Sequence, residues 1–566
     1  MTHLLPASRM PVVCFRSLRP AVIASALVLA ACAPRASSGP VPAASPATRP
    51  LTRAERTRYL ETSSHADVMA FLDTLRQLGA PISIQELATS PAGRTVPLVI
   101  ASKPRVGSVA EARALGRPIA YIQANIHAGE VEGKEAVLAL LRDWSFSSRA
   151  TVLDSLVLLV VPIYNTDGND KLGPQERNRG AQNGPEQIGE RPNGMGLDLN
   201  RDYVKAEAPE TRGTLAALAA WAPDLFMDLH TTNGSYHGYA LTYSPSLHPA
   251  APLGAFTHDT LLPAIRGRMK TRHGFEVFPY GNFTSAAGRE SMTAPEKSGW
   301  RTYEHTQRYG TNYVGLRGGL SILSEAYSHD PFPRRVASTR AFVQEVLSYV
   351  AEQPRGIRAR VAAGVAAATF DGGPRPPIAV RGRFTSAPDT QPVLVERLDR
   401  IADSTVRTEP GVPKGIRRSG VITAQRMPVI DRFEPALRRD PAAAGYLFDA
   451  RWSEVAEKLR QHGIVVATVT APQSLSLQEF VVDTVIASGR PFQGHREMRV
   501  EGRWRGASRE VPAGTFVVRT GQPLDLLAML LLEPESDDGF LTWNFFDAAL
   551  AAGVPAPVAR LVAPPR

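Results

Sequence analysis

At 566 residues with 43% hydrophobic positions, the chain is too long for one ordinary core and has a globular composition. Its formal charge of +10 comes from 64 Lys and Arg against 54 Asp and Glu, spread without the basic clusters of a nucleic-acid surface, so no nucleic-acid partner is expected. Only two cysteines exist, Cys14 and Cys32, which excludes a disulfide framework and, beyond residue 32, cysteine catalysis.

Arg9, Arg16 and Arg19 precede an apolar run from Ala21 to Ala31 that is too short to span a bilayer, so residues 1–31 read as an export signal. The run ends in Leu29-Ala30-Ala31-Cys32, which resembles the bacterial lipobox and implies lipid modification of Cys32. The Pro-, Ala- and Ser-rich stretch that follows makes residues 32–50 a flexible tether. The expectation is an exported lipoprotein of the cell envelope, held at the periplasmic face of a membrane, whose mature charge is +7 once the three leader arginines are gone.

Ser64 and Asp67 cap an amphipathic run that stops at Gly79, which predicts a helix. SIQELATS and TVPLVIAS flank Pro91-Ala92-Gly93-Arg94 as a hairpin. An alternating strand, Ile119 to Ile126, then runs into His127 and Glu130, and GKEAVLALLRDW follows at helical spacing. Leu156 to Ile163 reads as a buried parallel strand opening into Asn165 and Asp167. A long Gly-, Asn-, Pro- and Arg-rich loop, 169–197, leads to LDLNRDY with Asn200 and Arg201. Leu225 to Leu229 delivers His230, and GLSIL delivers Ser324 and Glu325.

Four strands thus end in polar residues, and in open α/β sheets ligands bind beyond the carboxyl ends of the strands. His127, Glu130 and His230 are sound zinc ligands that leave a fourth position for water, with Glu325 over as a free carboxylate to activate it. A second His/Glu pair, His273 with Glu276, ends a helix before Gly274 and reads as a dipole-favoured C-terminal histidine. GEVEGKE has the wrong spacing for a phosphate loop, and His237 and His329 read as structural.

The order H-x-x-E, Asn-Arg, a lone His after a strand and a Glu after another resembles the zinc metallocarboxypeptidases of the carboxypeptidase A type, from about Leu51 to Pro354. The resemblance implies an α/β fold with a mixed, largely parallel sheet flanked by helices, one Zn2+ per chain on His127, Glu130 and His230, and Glu325 as general base and proton shuttle. It also implies that Asn200 and Arg201 hold the substrate's C-terminal carboxylate, a role that suits the planar guanidinium fork. An arginine that polarises the scissile carbonyl is sought among Arg177, Arg179 and Arg191, with Arg179 favoured. A tyrosine that closes over the substrate is sought among Tyr303, Tyr309 and Tyr313, with Tyr313 favoured.

The catalytic domain is placed at 51–360. After the Gly- and Pro-rich ATFDGGPRPP, residues 371–566 read as a smaller α+β accessory domain: SEVAEKLRQHG helical, IVVATVT, EFVVDTV and GTFVVRT extended, LDLLAMLLLEP helical. The expected activity is zinc-dependent removal of C-terminal residues from peptides in the envelope. The same site acting on peptidoglycan stem peptides, or a peptide-binding lipoprotein without turnover, are the alternatives.

Overall fold

The computed structural model describes residues 49–565 apart from 286, 295–298, 372 and 374. The expected signal peptide, Cys32 and all but the last two residues of the tether lie outside the described residues. No helix among the described residues is long and apolar enough to cross a membrane.

The predicted elements fall where their periodicities put them. Ser64 accepts from Asp67 N and Asp67 answers to Ser64 N, a reciprocal cap that starts α1 (His65–Gln77). The turn at 91–94 joins β1 (Ile82–Thr89) antiparallel to β2 (Thr95–Ala101). β3 (Ile119–Ala124), α2 (Glu132–Ser145) and β4 (Val157–Val161) follow, then α3 (Pro209–Trp221), β5 (Leu225–Thr231), β6 (Leu241–Pro245), β7 (Val277–Pro279) and β8 (Leu320–Ala326). Together these strands form an eight-stranded sheet in the order β1-β2-β4-β3-β5-β8-β6-β7. β4, β3, β5 and β8 are mutually parallel at its centre, so their carboxyl ends share one edge.

The two faces of the sheet bury different partners. Ile122, Leu229 and Ile322 pack with Val68 of α1 and Val137 of α2. Tyr121 and Phe226 face the opposite layer, with Tyr203, Leu215 and Tyr313. Because strand side chains alternate, Asp228, His230 and Glu325 fall on this second face.

Beyond residue 370, β9 (Gln391–Arg400) and β10 (Ile416–Met427) pair as a long hairpin. A separate six-stranded sheet is dominated by the antiparallel pair Gln473–Ala487 and Met498–Val511. The helices at Ser453–Gln461 and Asp525–Leu532 match the sequence reading. IVVATVT does not form the full strand expected: only Ala467–Thr468 is extended. Ile464 N caps the preceding helix by bonding Leu459 O, and Val465 N is taken by the Gln522 side chain, so the start of the segment is committed before it can pair.

This C-terminal region braces the loops around the sheet's carboxyl edge. One hydrophobic core runs from Phe226 and Tyr313 to Leu526 and Trp543. Arg308 grips Asp538 and Glu497, Lys205 sits over Trp543, and His462 bonds both Tyr313 and Val204. On the other flank Tyr236 donates to Gly411 O, and Arg418 reaches Glu396 and the His329 carbonyl.

Candidate active site

The turn after β3 is shaped by Asn125, which adopts a left-handed conformation (φ 65°) and donates from Nδ2 to the carbonyls of Ala128 and Glu130. Asn tolerates this conformation because its short amide bonds locally. Space is tight at Gly129, where a Cβ would stand 3.0 Å from both Arg179 Cδ and Gly189 O. The turn aims His127 Nδ1 and Glu130 inward. β5 supplies His230 and β8 supplies Glu325, each inside its strand and fixed by the ladder.

His127 Nδ1 lies 3.0 Å from Glu130 Oε1, His230 Nδ1 lies 2.9 Å from Glu130 Oε2, and the two Nδ1 atoms are 3.2 Å apart. One donor atom from each of the three residues can be chosen so that all lie within 4.8 Å of one another. Two imidazole nitrogens bound to one zinc ion at about 2.0–2.1 Å and a tetrahedral angle stand roughly 3.3 Å apart, so the donor set fits zinc in spacing as in chemistry. Two facing Nδ1 lone pairs also repel unless a proton or a cation lies between them.

Carboxylates stand behind both rings. His127 Nε2 is 3.0 Å from Asp198 Oδ1, and His230 Nε2 is 3.0 Å from Asp228 Oδ2. Burial alone would raise the Asp198 carboxyl, but His127, Arg191 and Arg201 hold it well below the usual carboxylate range. Glu130 behaves alike, its burial outweighed by Arg179 and then His127. His230 is pushed the other way: burial would lower it, and Asp228 and Glu130 hold it well above the ordinary imidazole value.

Glu325 is buried and makes an ion pair with no Lys, Arg or His among the described residues; burial pushes its carboxyl up to about 8 despite His230 nearby. Arg179 donates to Glu130 Oε1 at 2.5 Å and to the carbonyls of Thr231 and Thr232. Arg191 pairs with Asp198 through Nε and Nη2, passes 3.7 Å from Glu130, and keeps 40% of its side chain exposed. Arg177 points away to Asn178 and Glu190. The three candidates reduce to two.

Asn200 accepts from Gly310 N through Oδ1 and places Nδ2 3.4 Å from His230 Nε2. Arg201 donates to Asn200 O and lies over the Tyr309 ring at 4.2 Å. Tyr313, the expected capping tyrosine, is elsewhere: it is fully buried against Tyr203, with its hydroxyl on His462 Nδ1 at 2.7 Å. Tyr313 lies inside the Gly310–Leu316 helix (α4), every residue of which is buried, whereas Tyr309 is its extended N-cap. Tyr309, on the same segment, lies at the site under Arg201, and Tyr303 packs edge-on to it at 5.0 Å.

Asp198 and Asp228 were not singled out from the sequence. The signal was present, since each precedes a chosen residue, Asn200 or His230, by two positions. His273 meets Glu345 at a helix end before left-handed Gly274, away from the site.

Residues 68–245 match the family model described as zinc carboxypeptidase. Over that span the chain resembles the zinc carboxypeptidases. The matched span holds His127, Glu130, Asn200, Arg201 and His230, while Glu325 lies beyond it. Carboxypeptidase 2 of Trichophyton equinum is 22% identical over 460 residues, covering 78% of this chain and 76% of that protein. Carboxypeptidase 2 of Trichophyton rubrum is 21% identical over 451 residues, covering 75% and 73%. A metallo-carboxypeptidase from Burkholderia cenocepacia overlays with a TM-score of 0.38 at 19% identity, over 51% of this chain and 70% of that one.

Proposed function

We propose that the protein is an exported zinc metallocarboxypeptidase that removes C-terminal residues from peptides in the cell envelope. The observation that carries this reading is the convergence of His127, Glu130 and His230 beside Glu325, a buried carboxylate with no ion-pair partner, and the Asn200-Arg201 pair.

Zinc held by His127, Glu130 and His230 supplies Lewis acidity for the scissile carbonyl and for water. The chain's own residues do the rest. Arg201 and Asn200 hold the terminal carboxylate and so fix which peptide bond is presented. A carboxylate oxygen of Glu325, whose ionised form a cation at the triad favours, takes the proton of the attacking water and returns it to the departing amine. Arg179 and Arg191 hold positive charge beside the oxyanion that develops.

Purified mature protein, assayed on peptides that differ only in the last residue or in its amidation, should release single C-terminal residues from free-acid peptides alone. The activity should vanish with chelator and return with zinc. Cleavage of amidated peptides at the same rate would refute the exopeptidase reading. Anchoring through Cys32 belongs to the same proposal, and Cys32→Ala should move active enzyme from the membrane fraction to the soluble one.

A further inference from the structure

Asp228 stands one row below His230 on the same face of β5, fully buried. Its ion-pair partner among the described residues is His230, at 3.0 Å from Nε2. Its cross-strand partner on β3 is Gln123, whose amide nitrogen finds no hydrogen bond there, and on β8 it is apolar Leu323. A carboxylate so deep is costly unless a cation compensates it. Asp198 is different, because it also grips Arg191 and the Asn200 backbone.

We infer that Asp228 is a positioning residue for the metal. It receives the Nε2 proton of His230, fixes the tautomer that leaves the Nδ1 lone pair free, and adds a negative charge that the bound cation balances through the ring. The approach is close at 3.0 Å but out of line, for neither Asp228 oxygen has a fully formed hydrogen bond. A carboxylate accepting from the far nitrogen of a ligating histidine raises the ligand's basicity and holds the ring plane, and its loss typically costs 10–100-fold in metal affinity. The inference rests on zinc binding at His127, Glu130 and His230, and not on peptidase activity.

The test reads metal directly. Chelator competition on full-length mature protein should show zinc held 10–100-fold more weakly by Asp228→Asn than by wild type, with cobalt substitution giving an altered visible spectrum. Thermal unfolding of the zinc-free proteins should be similar, which separates a lost ligand orientation from a lost fold. In wild type labelled with 15N-histidine, the Nε2 proton of zinc-loaded His230 should resonate downfield, as a proton shared with a carboxylate does; this measurement stands if the variants fail to fold. Wild-type zinc affinity in Asp228→Asn, or a His230 Nε2 proton without that downfield shift in the loaded protein, overturns the inference. So does a variant with normal affinity that has lost only its cleavage of peptides ending in Lys or Arg, which would make Asp228 a floor for a basic side chain. A wild type that binds no zinc refutes the proposed function instead.

Discussion

Glu325 and His230 are register partners on adjacent parallel strands, so the backbone ladder itself holds a free carboxylate beside a histidine of the metal-ligand triad. Neither depends on a loop for its position. In the proposed mechanism this pairing separates two kinds of failure: loss of His230 should remove metal and chemistry together, whereas loss of Glu325 should remove the chemistry alone.

Glu325→Gln keeps the shape and removes the proposed base. Zinc content and melting temperature should stay near wild type while kcat falls by the 10²–10⁴-fold typical of a positioned general base, with KM little changed. A variant that keeps most of its turnover on free-acid peptides would rule out Glu325 as the proton shuttle.

Tyr313→Phe removes the hydroxyl from His462 Nδ1 and leaves that nitrogen buried without a donor. Such a group costs about 1–3 kcal/mol. The melting temperature should fall and kcat/KM should hold, as for a tie between the sheet layer and the C-terminal region; the opposite pattern would return Tyr313 to the substrate.

The central strands and helices were legible because their periodicity is dictated by burial on a fixed sheet, as Leu156–Ile163 and GKEAVLALLRDW illustrate. The metal residues were legible for the same reason, each being delivered by a strand end. What could not be read were choices made by packing across distant segments. Whether Tyr309 or Tyr313 faces the site depends on where the Gly310–Leu316 helix begins, which leaves Tyr309 extended outside it, and on Tyr203 and His462, which hold Tyr313 from far away in the chain. Arg179 and Arg191 likewise arrive from an aperiodic loop, where sequence carries no direction. Asp228 was hidden inside an apolar strand, although period two places it on the face of His230.

Gly133 lies in α2 where the helix crosses the sheet, and a Cβ there would stand 2.8 Å from Leu229 Cβ and 3.2 Å from Ala124 Cβ. Gly133→Ala should therefore destabilise by about 1–3 kcal/mol through overpacking, against the gain that alanine normally brings to a helix interior. Chemical denaturation with an unchanged m-value would check it, and a stabilised variant would show that the helix can move away.

Three buried histidines predict acid lability. Burial lowers His237 and His462 to about 3 and His329 to about 4. Each stays neutral in the fold but takes a proton in the unfolded chain below about pH 6.5. Folded values below unfolded ones mean that their contribution is complete above pH 6.5 and is lost as pH falls toward 3. Melting temperature should drop steadily across that window, and the drop should be smaller in His462→Gln than in wild type. Equal slopes in the two proteins would exclude His462 as a source of the lability.

In the proposed mechanism Arg201 distinguishes an exopeptidase from any other zinc peptidase, because no other step there needs it than the choice of substrate end. Its guanidinium is held by the Tyr309 face and by the Asn200 carbonyl, and 23% of the side chain remains exposed to meet a ligand. A charge-assisted hydrogen bond to a carboxylate is worth about 1.5–3 kcal/mol, which is roughly 10- to 150-fold in affinity. Arg201→Ala should raise KM for free-acid peptides by that factor. It should leave the already slow cleavage of amidated peptides unchanged, so the ratio between the two collapses. Tyr309→Leu removes the aromatic support but keeps the charge, and it should give a smaller loss in the same direction. Zinc affinity should change little in both, since neither side chain contacts His127, Glu130 or His230 and Asp198 keeps its pairing with Arg191 when Arg201 is lost. If Arg201→Ala instead lowers kcat on free-acid and amidated peptides alike, the residue acts on the transition state and the carboxylate anchor must be sought elsewhere, with Arg191 the next cation in the cleft.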